Sequence, residues 1–510
     1  MIVDNVKFLI FAAAVAYDAG RDQLPLFAAQ KNSAGHAHDG MGVKVPSLTA
    51  SKTAGDKGPV LLQDSVLLEH IAQFDRERTP ERVAHAKGHG AHGVFQVEND
   101  ITHLSKACLF KPGSKTPIFV RFSSVLGERG SADTLHDAHG FAIKFYTECG
   151  NWDLVGNNLE LFMIRDPILF PSLIRSRKRN PQTGLRDMTS YWDFTSLRPE
   201  TTFHTLQLNS YLGFPNSSRH MDGAGVHTFK LVSANRTTVY CKFHYLTEQG
   251  VGHTTVEEAR ELTKTPDYFQ QDLYNAIARG EYPSWKFMIQ VMTFEEARKV
   301  SFDPLDPTKI WPRDEFPLQP VGRFVLNRNP TNFFQETESV AFNPGTYIPG
   351  IEASRDRLLH GRIFSYPDSQ RHRLGANFRH LPINRPLNFN AVNSYRYDGP
   401  CNVASSYTGP NYYPNSFGGA GIEEVIGPED DHDYKANEII RNDLGNEDNF
   451  SQAAKWFQSR SAEEKNFIAS TISKGMAGIP RKVAERTIAN FHKVDPRLSS
   501  AIMSGGSWVG

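Results

Sequence analysis

Residues 117–164 read PIFVRFSSVLGERGSADTLHDAHGFAIKFYTECGNWDLVGNNLELFMI, and the apolar runs inside them set the fold class. Pro117–Phe122, Gly140–Tyr146 and Glu160–Ile164 are short, rich in β-branched and aromatic residues, and bounded by Gly, Ser, Asp and Asn. That is the pattern of half-buried antiparallel strands. Outward along the chain, Val226–Val232, Thr238–Tyr245, Lys286–Met292 and Arg323–Asn327 carry the same signal. Many such strands without regular intervening helices predict a β-barrel or sandwich. Helical patterns interrupt them, as over Val256–Arg279, and Leu61–Gln73 reads as a short helix.

The flanks complete an α+β plan. Residues 1–16 hold the apolar run Phe8–Ala16 after Lys7, closing on Ala14-Val15-Ala16, the pattern of a short secretory signal peptide. Residues 17–73 read as an N-terminal arm, 74–388 as the barrel domain with helical insertions, 389–434 as a wrapping segment and 435–510 as a C-terminal helical domain. The wrap is dense in Pro, Gly, Asn, Ser and Tyr with little periodicity. In the last section Ser461 with Glu464 predicts a capping box, followed by Phe467, Ile468 and Ile472 on one face. Pro480 opens another helix, which carries Val483, Ile488 and Phe491.

Composition narrows the function classes. With 56 basic and 56 acidic side chains in 510 residues there is no global field to draw nucleic acid or an anionic membrane. No apolar run reaches the roughly 18 residues that span a bilayer. The four cysteines, Cys108, Cys149, Cys241 and Cys401, are widely spaced and form no CxxC pair, so neither a zinc knot nor a disulfide scaffold is expected. Thirty-four phenylalanines predict a thick aromatic interior.

Chemistry concentrates in a few stretches. Arg362–Gly375 reads RIFSYPDSQRHRLG, where Arg362 and Tyr366 are four apart and share a face of one helical turn. A guanidinium held against a phenol oxygen favours the phenolate, a hard anionic donor suited to ferric iron. Pro367 is expected near a helix end, because it lacks an N–H and fixes φ. Arg371, His372 and Arg373 add cations suited to carboxylates or phosphates. Upstream, His85 follows Arg82 by three residues and can take and return a proton near neutral pH. Arg121 and Ser123 end a predicted strand, and Asn157-Asn158 follow Gly156.

Together these blocks carry a resemblance. FDRERTPERVAHAKG (74–88), RFSSVLGERGSADT (121–134), NWDLVGNNLELFMIRDPILFP (151–171) and RIFSYPDSQRHRLG (362–375) are similar to the monofunctional haem catalases, of the animal, small-subunit type. The resemblance runs from roughly Gly58 to Asn415, and tyrosine is the haem ligand known for this family. It implies a catalase-like antiparallel β-barrel and haem b (iron protoporphyrin IX). The implied reaction is dismutation of two hydrogen peroxide molecules to water and dioxygen through a ferryl intermediate. By the same resemblance His85 is the distal histidine, Asn157 its polar partner, and Ser123 the hydrogen-bond partner of the far side of its ring. Tyr366 is the proximal iron ligand and Arg362 its charge partner. Arg82, Arg121 and Arg373 meet the haem propionates, and Phe170 packs on the haem face. A homotetramer with exchanged arms is also implied. Two alternatives remain at this stage, a haem peroxidase oxidising organic donors and a non-enzymatic extracellular haem-binding protein.

Departures from the family pattern add expectations. Ala84 stands where the family has valine, and His92 and Val94 stand where it tends to have phenylalanine and tyrosine, which predicts a wider or wetter channel. The family's surface NADPH site loses cations here, its positions being Phe203, Leu212 and Leu246, with Arg313 after Trp311-Pro312 while Ser210 and Trp311 survive. NADPH binding is therefore expected to be weak or absent. The C-terminal residues lack a peroxisomal Ser-Lys-Leu, and sequons occur at Asn216, Asn235 and Asn449. A secreted location is favoured over a peroxisomal or cytoplasmic one.

Overall fold

Among the described residues ten strands pair antiparallel in the order β10-β6-β7-β5-β4-β3-β2-β1-β9-β8, and β8 pairs back on β7, closing an eight-strand barrel with β6 and β10 continuing beside β7. They are β1 (Gly88–Val97), β2 (Lys115–Ser124), β3 (His139–Thr147), β4 (Gly150–Asn157), β5 (Gly223–Ala224), β6 (Phe229–Val232), β7 (Thr238–Thr247), β8 (Ser284–Met292), β9 (Gln319–Arg328) and β10 (Ile351–Ala353). This computed structural model describes residues 23–25, 27–28, 35–389, 394–399, 409–422, 438–444 and 447–508. Contacts divide the chain into two units, 1–79 and 80–510. In the first, helix Ser65–Asp75 is capped by Asp64, whose carboxylate accepts from the Leu67 N–H at 3.2 Å.

Strand side chains alternate between faces. On β2, β3 and β4, the inward set, Ile118, Val120, Phe122, Phe141, Ile143, Phe145, Trp152 and Leu154, fills the barrel. Rings interlock there, with Phe145 stacked on Trp152 at 4.7 Å and Trp285 on Phe324 at 5.2 Å. Much of the high phenylalanine content is this interior. A second core joins helices Met188–Leu197 and Thr202–Leu208 to the C-terminal helices through Trp192, Phe203, Ile472, Val483 and Phe491.

Several expectations change. Glu160–Ile164 is not a strand; Leu161, Met163 and Ile164 anchor in the helical core, and a short apolar run carries no period that separates these outcomes. Val226–Val232 is extended only from Phe229. Strands β1 and β4 were hidden by glycine, histidine and asparagine. Gly93 is there for close approach, since a Cβ would lie 2.1 Å from the Val325 carbonyl oxygen of β9. The Val256–Arg279 helix is two, Val256–Leu262 and Tyr268–Ala278, parted near Pro266. Ser461 accepts from the Glu464 N–H at 3.1 Å, and Pro480 caps Arg481–Val494. Cys108 and Cys149 form a disulfide, because the β3–β4 turn carries Cys149 to within 6.5 Å (Cα–Cα) of Cys108; their 41-residue separation gave no local signal. The expected signal peptide and most of the wrapping segment lie outside the described residues.

Candidate active site

The outward row of the barrel at β2–β4 builds the site. Register aligns Ser123 of β2 with Gly140 of β3, and Gly140 with Asn157 of β4. The glycine leaves room for His85, because a Cβ there would lie 2.3 Å from Ser123 Oγ and 2.6 Å from His85 Nδ1. His85 Nδ1 bonds Ser123 Oγ at 2.9 Å. The His85 backbone is in the left-handed region at φ 62°, uncommon for a side-chain-bearing residue, and both its backbone groups are tied. Its N–H donates to Val125 O at 2.8 Å, and its carbonyl accepts from Arg121 Nη1 at 2.9 Å. Strain secured in this way is a mark of functional positions. Desolvation first, then the Arg121 cation, push the imidazole down to about 3, so it is neutral at physiological pH. Asn157 is buried at the end of β4, while its neighbour Asn158 is committed to structure, accepting from the His139 N–H and donating to Leu212 O, both at 2.8 Å.

Further along the same outward face, Ala142 and Val155, one register step on, and Phe119, two steps on, form an apolar plate with Val340 and Phe342, and Tyr366 packs on it. Tyr366 belongs to helix Arg357–Leu374. Pro367 lies well inside that helix rather than near its end. An interior proline costs about 3 kcal/mol, and anchors on both sides offset it. On one side Gly361 seats the helix on Pro167, leaving no space for a Cβ (2.2 Å), and Arg362 is buried; on the other Arg373 is buried. Arg362 Nη2 donates to the Tyr366 hydroxyl at 2.9 Å and to Val155 O at 3.0 Å. Its Nη1 donates to His227 Nε2 at 2.7 Å, and His227 Nδ1 donates to Asp356 Oδ2 at 2.5 Å. Asp356 also caps the helix, its Oδ1 accepting from the Leu359 N–H at 3.1 Å. His227 and Asp356 were missed in the sequence. They lie 129 residues apart, and no spacing rule links them.

A guanidinium cluster borders this plate. Arg82 Nη2 donates to the carbonyls of Glu338 and Val340, both at 2.9 Å. Arg373 reaches the same two oxygens at 2.6 and 3.2 Å. Glu338 faces three cations, Arg129 at 3.0 Å and Arg82 and Arg373 at 3.7 Å each. Burial pushes Arg82 down to about 10 and Arg373 to about 9, and Arg121 well below its ordinary value. Among the described residues Arg82 Nη1 and Arg121 Nε have no hydrogen-bond partner although buried. Buried cationic excess beside an apolar surface suits an apolar group bearing carboxylates. The fit to a haem is therefore good.

The remaining sequence candidates fall less centrally. Phe170 starts helix Phe170–Arg177 and packs with Phe162 (6.2 Å) at the helical core. His92 does not leave a gap; its Nε2 contacts the Glu336 carboxylate and its ring stands edge-on to Phe119 at 4.8 Å. The wider-channel reading thus rests on Ala84 and Val94. We expect Ala84→Val to lower kcat/KM for a bulky organic hydroperoxide several-fold while changing that for hydrogen peroxide far less. Equal effects on both would remove Ala84 from selectivity. At the altered NADPH positions, Phe203 is buried in the helical core and Arg313 is engaged with Glu160. Of the sequons, Asn449 is buried and accepts from Arg165 Nη2 at 2.6 Å.

Comparison with known proteins gives a family match and shared folds. Residues 38–419 match the family described as Catalase, and residues 444–505 match one described as Catalase-related immune-responsive. The chain is 50% identical over 456 residues to the catalase of Sus scrofa, covering 89% of this chain and 86% of that one. It is 45% identical to the catalase of Drosophila melanogaster, covering 94% and 95% respectively. Among solved structures, a bacterial catalase superposes with a TM-score of 0.87 at 40% identity, covering 93% of this chain and 96% of that chain. Catalase A from Saccharomyces cerevisiae gives 0.88 at 38% identity, covering 93% and 99%.

Proposed function

The chain belongs to the catalase family, and we propose that His85, Asn157 and Ser123, with Tyr366 and Arg362, carry its disproportionation of hydrogen peroxide to water and dioxygen. One observation carries the assignment of residues: the outward strand face that orients a neutral imidazole through Ser123 continues into an apolar cluster on which an arginine-held phenol packs, bordered by an excess of guanidinium charge.

Haem b is the group these residues would hold, with Tyr366 on the iron and Arg82, Arg121 and Arg373 toward its carboxylates. When bound, it supplies the two-electron redox change. The protein handles protons and placement. His85 Nδ1 and Ser123 Oγ are bonded, and the tautomer that donates Nδ1–H to that oxygen is the one that leaves the lone pair on Nε2, as base chemistry there needs. From there it takes a proton from one peroxide oxygen and returns it to the other, which departs as water. Asn157 donates a hydrogen bond that orients the peroxide. In the second half of the cycle a second peroxide gives up two protons and two electrons and leaves as dioxygen; His85 passes on one of those protons, and the oxygen left by the first peroxide departs as the second water. Arg362 keeps the Tyr366 oxygen aimed and charge-compensated.

The test is dioxygen released per peroxide consumed, without added reductant, at an oxygen electrode. We expect one dioxygen for every two peroxides, from the reaction stoichiometry. Peroxide loss that requires an organic donor and releases no gas would convert the reading to a peroxidase.

The finer expectations follow on the same footing. We expect the purified protein to show no saturable NADPH binding in a fluorescence titration, because Phe203 and Leu212 are packed in apolar surroundings and Arg313 is engaged with Glu160. Micromolar binding would refute this. A homotetramer and export from the cell are part of the proposal, the latter supported by the composition of Phe8–Ala16. So is the division into a haem-binding barrel domain, 74–388, and a helical domain, 435–510.

A further inference from the structure

Lys242 is buried on β7, and the proton handling and cofactor placement above leave it without a role. Its ammonium donates to the Val226 carbonyl at 3.0 Å and lies 5.8 Å from the centre of the Trp311 ring. Val226 is a β-branched residue at φ 67°, a genuine backbone outlier. Around it the His227 N–H donates to Gly225 O at 2.8 Å, which closes a γ-turn of the rare, strained, positive-φ kind. The carbonyl two residues on is also held. Ser354 Oγ donates to Thr228 O at 2.5 Å and accepts from the Asp356 N–H at 3.2 Å.

His227 is thus fixed from both sides, and its ring must be one tautomer. Nδ1 carries the proton given to Asp356, and Nε2 presents its lone pair to Arg362. A protonated ring would set two donors against each other at the 2.7 Å contact with Arg362. Burial first, and the Arg362 and Lys242 charges after it, push His227 toward the neutral form against Asp356.

We propose that Lys242 is a positioning residue for Tyr366. By holding the Val226 carbonyl it clamps the strained turn, the turn sets the His227 ring, and His227 sets the Arg362 fork on the phenol oxygen. The proposal rests on the reading of Tyr366 as the iron ligand.

The test compares the full-length parent with Lys242→Met and with Lys242→Met/Val226→Gly, since glycine adopts a positive φ without strain. Two readouts are used: amide hydrogen exchange of the peptide holding His227, and the pH at which the tyrosine-bound haem spectrum collapses on acidification. In Lys242→Met, exchange should rise roughly tenfold or more, as expected for a lost charged hydrogen bond, and the spectrum should fail at higher pH. The added glycine should move both back toward the parent. Parental behaviour of Lys242→Met, or a double variant no nearer the parent than the single one, would overturn the clamp. If only the double variant folds, the clamp stands; if neither folds, the lysine serves something that a relaxed turn does not supply, and the proposal fails. Exchange is measured with and without haem. A parent that takes up no haem therefore defeats the Tyr366 reading, while the clamp is judged separately by exchange.

Discussion

His85→Gln should lower dioxygen release by about 10²–10⁴-fold, the range for removing a positioned general base, while the protein keeps its haem. Glutamine has a similar reach and can still bond Ser123, but it offers no basic lone pair. The loss is therefore one of proton transfer rather than of shape. Nothing in the proposed haem-holding set changes, because Arg82, Arg373 and Tyr366 make their contacts independently of this ring and Arg121 bonds only the backbone carbonyl of the residue. The pH dependence gives a second check. The imidazole is pushed from 6.5 down to about 3, so its base form persists as pH falls and is lost only as pH drops through about 3. The parent's rate should accordingly show no inflection near 6.5 from this group. Stability behaves in the corresponding way. Between about 3 and 6.5 the unfolded chain binds a proton at this position that the folded chain refuses, so the parent loses stability as pH falls across that window. The glutamine variant lacks this penalty, and its thermal midpoint should fall less than the parent's on acidification. A variant with parental gas release would take His85 out of the chemistry.

Much of this was legible in the chain, and what was not has physical reasons. The strands over Pro117–Phe122, Gly140–Tyr146, Thr238–Tyr245 and Lys286–Met292 announced themselves because one set of their side chains had to fill a barrel with aromatic rings. Strand β1 did not. Its glycines serve contact with neighbouring backbone, as Gly93 does against Val325, and glycine reads as a breaker when only local preference is weighed. Arg362 and Tyr366 were readable as a pair because helical spacing is local. His227, Asp356 and Glu338 were not, since their meaning comes from partners more than a hundred residues away or, for Glu338, from a cluster assembled out of three segments. Pro367 was judged by helix propensity, and tertiary anchoring of the helix by Arg362, Gly361 and Arg373 overrode it. His92 was read as a loss of bulk, but the fold supplied Glu336 as its partner.

Tyr366→Phe is expected to be the most damaging single substitution, because it removes the donor atom itself. Gel-filtered protein should retain a small fraction of the parental haem and lose the visible bands of a phenolate-bound ferric haem, and gas release should fall with them. Phenylalanine preserves the packing on Phe119, Ala142 and Val155, so the fold should persist and the thermal midpoint of the haem-free protein should change little. Arg362→Met separates aiming from ligation. It keeps the oxygen but removes the bonds to Tyr366, His227 and Val155, and a lost outer partner of a metal ligand typically costs 10–100-fold. It also leaves the His227–Asp356 pair without the cation that completes it, so some of its cost should appear as lost stability as well as lost rate. The two variants should therefore rank, with Tyr366→Phe losing both haem and rate and Arg362→Met losing rate while most haem remains. Equal haem retention in Tyr366→Phe and the parent would mean that another side chain holds the iron, and the oriented phenol would then need a different explanation.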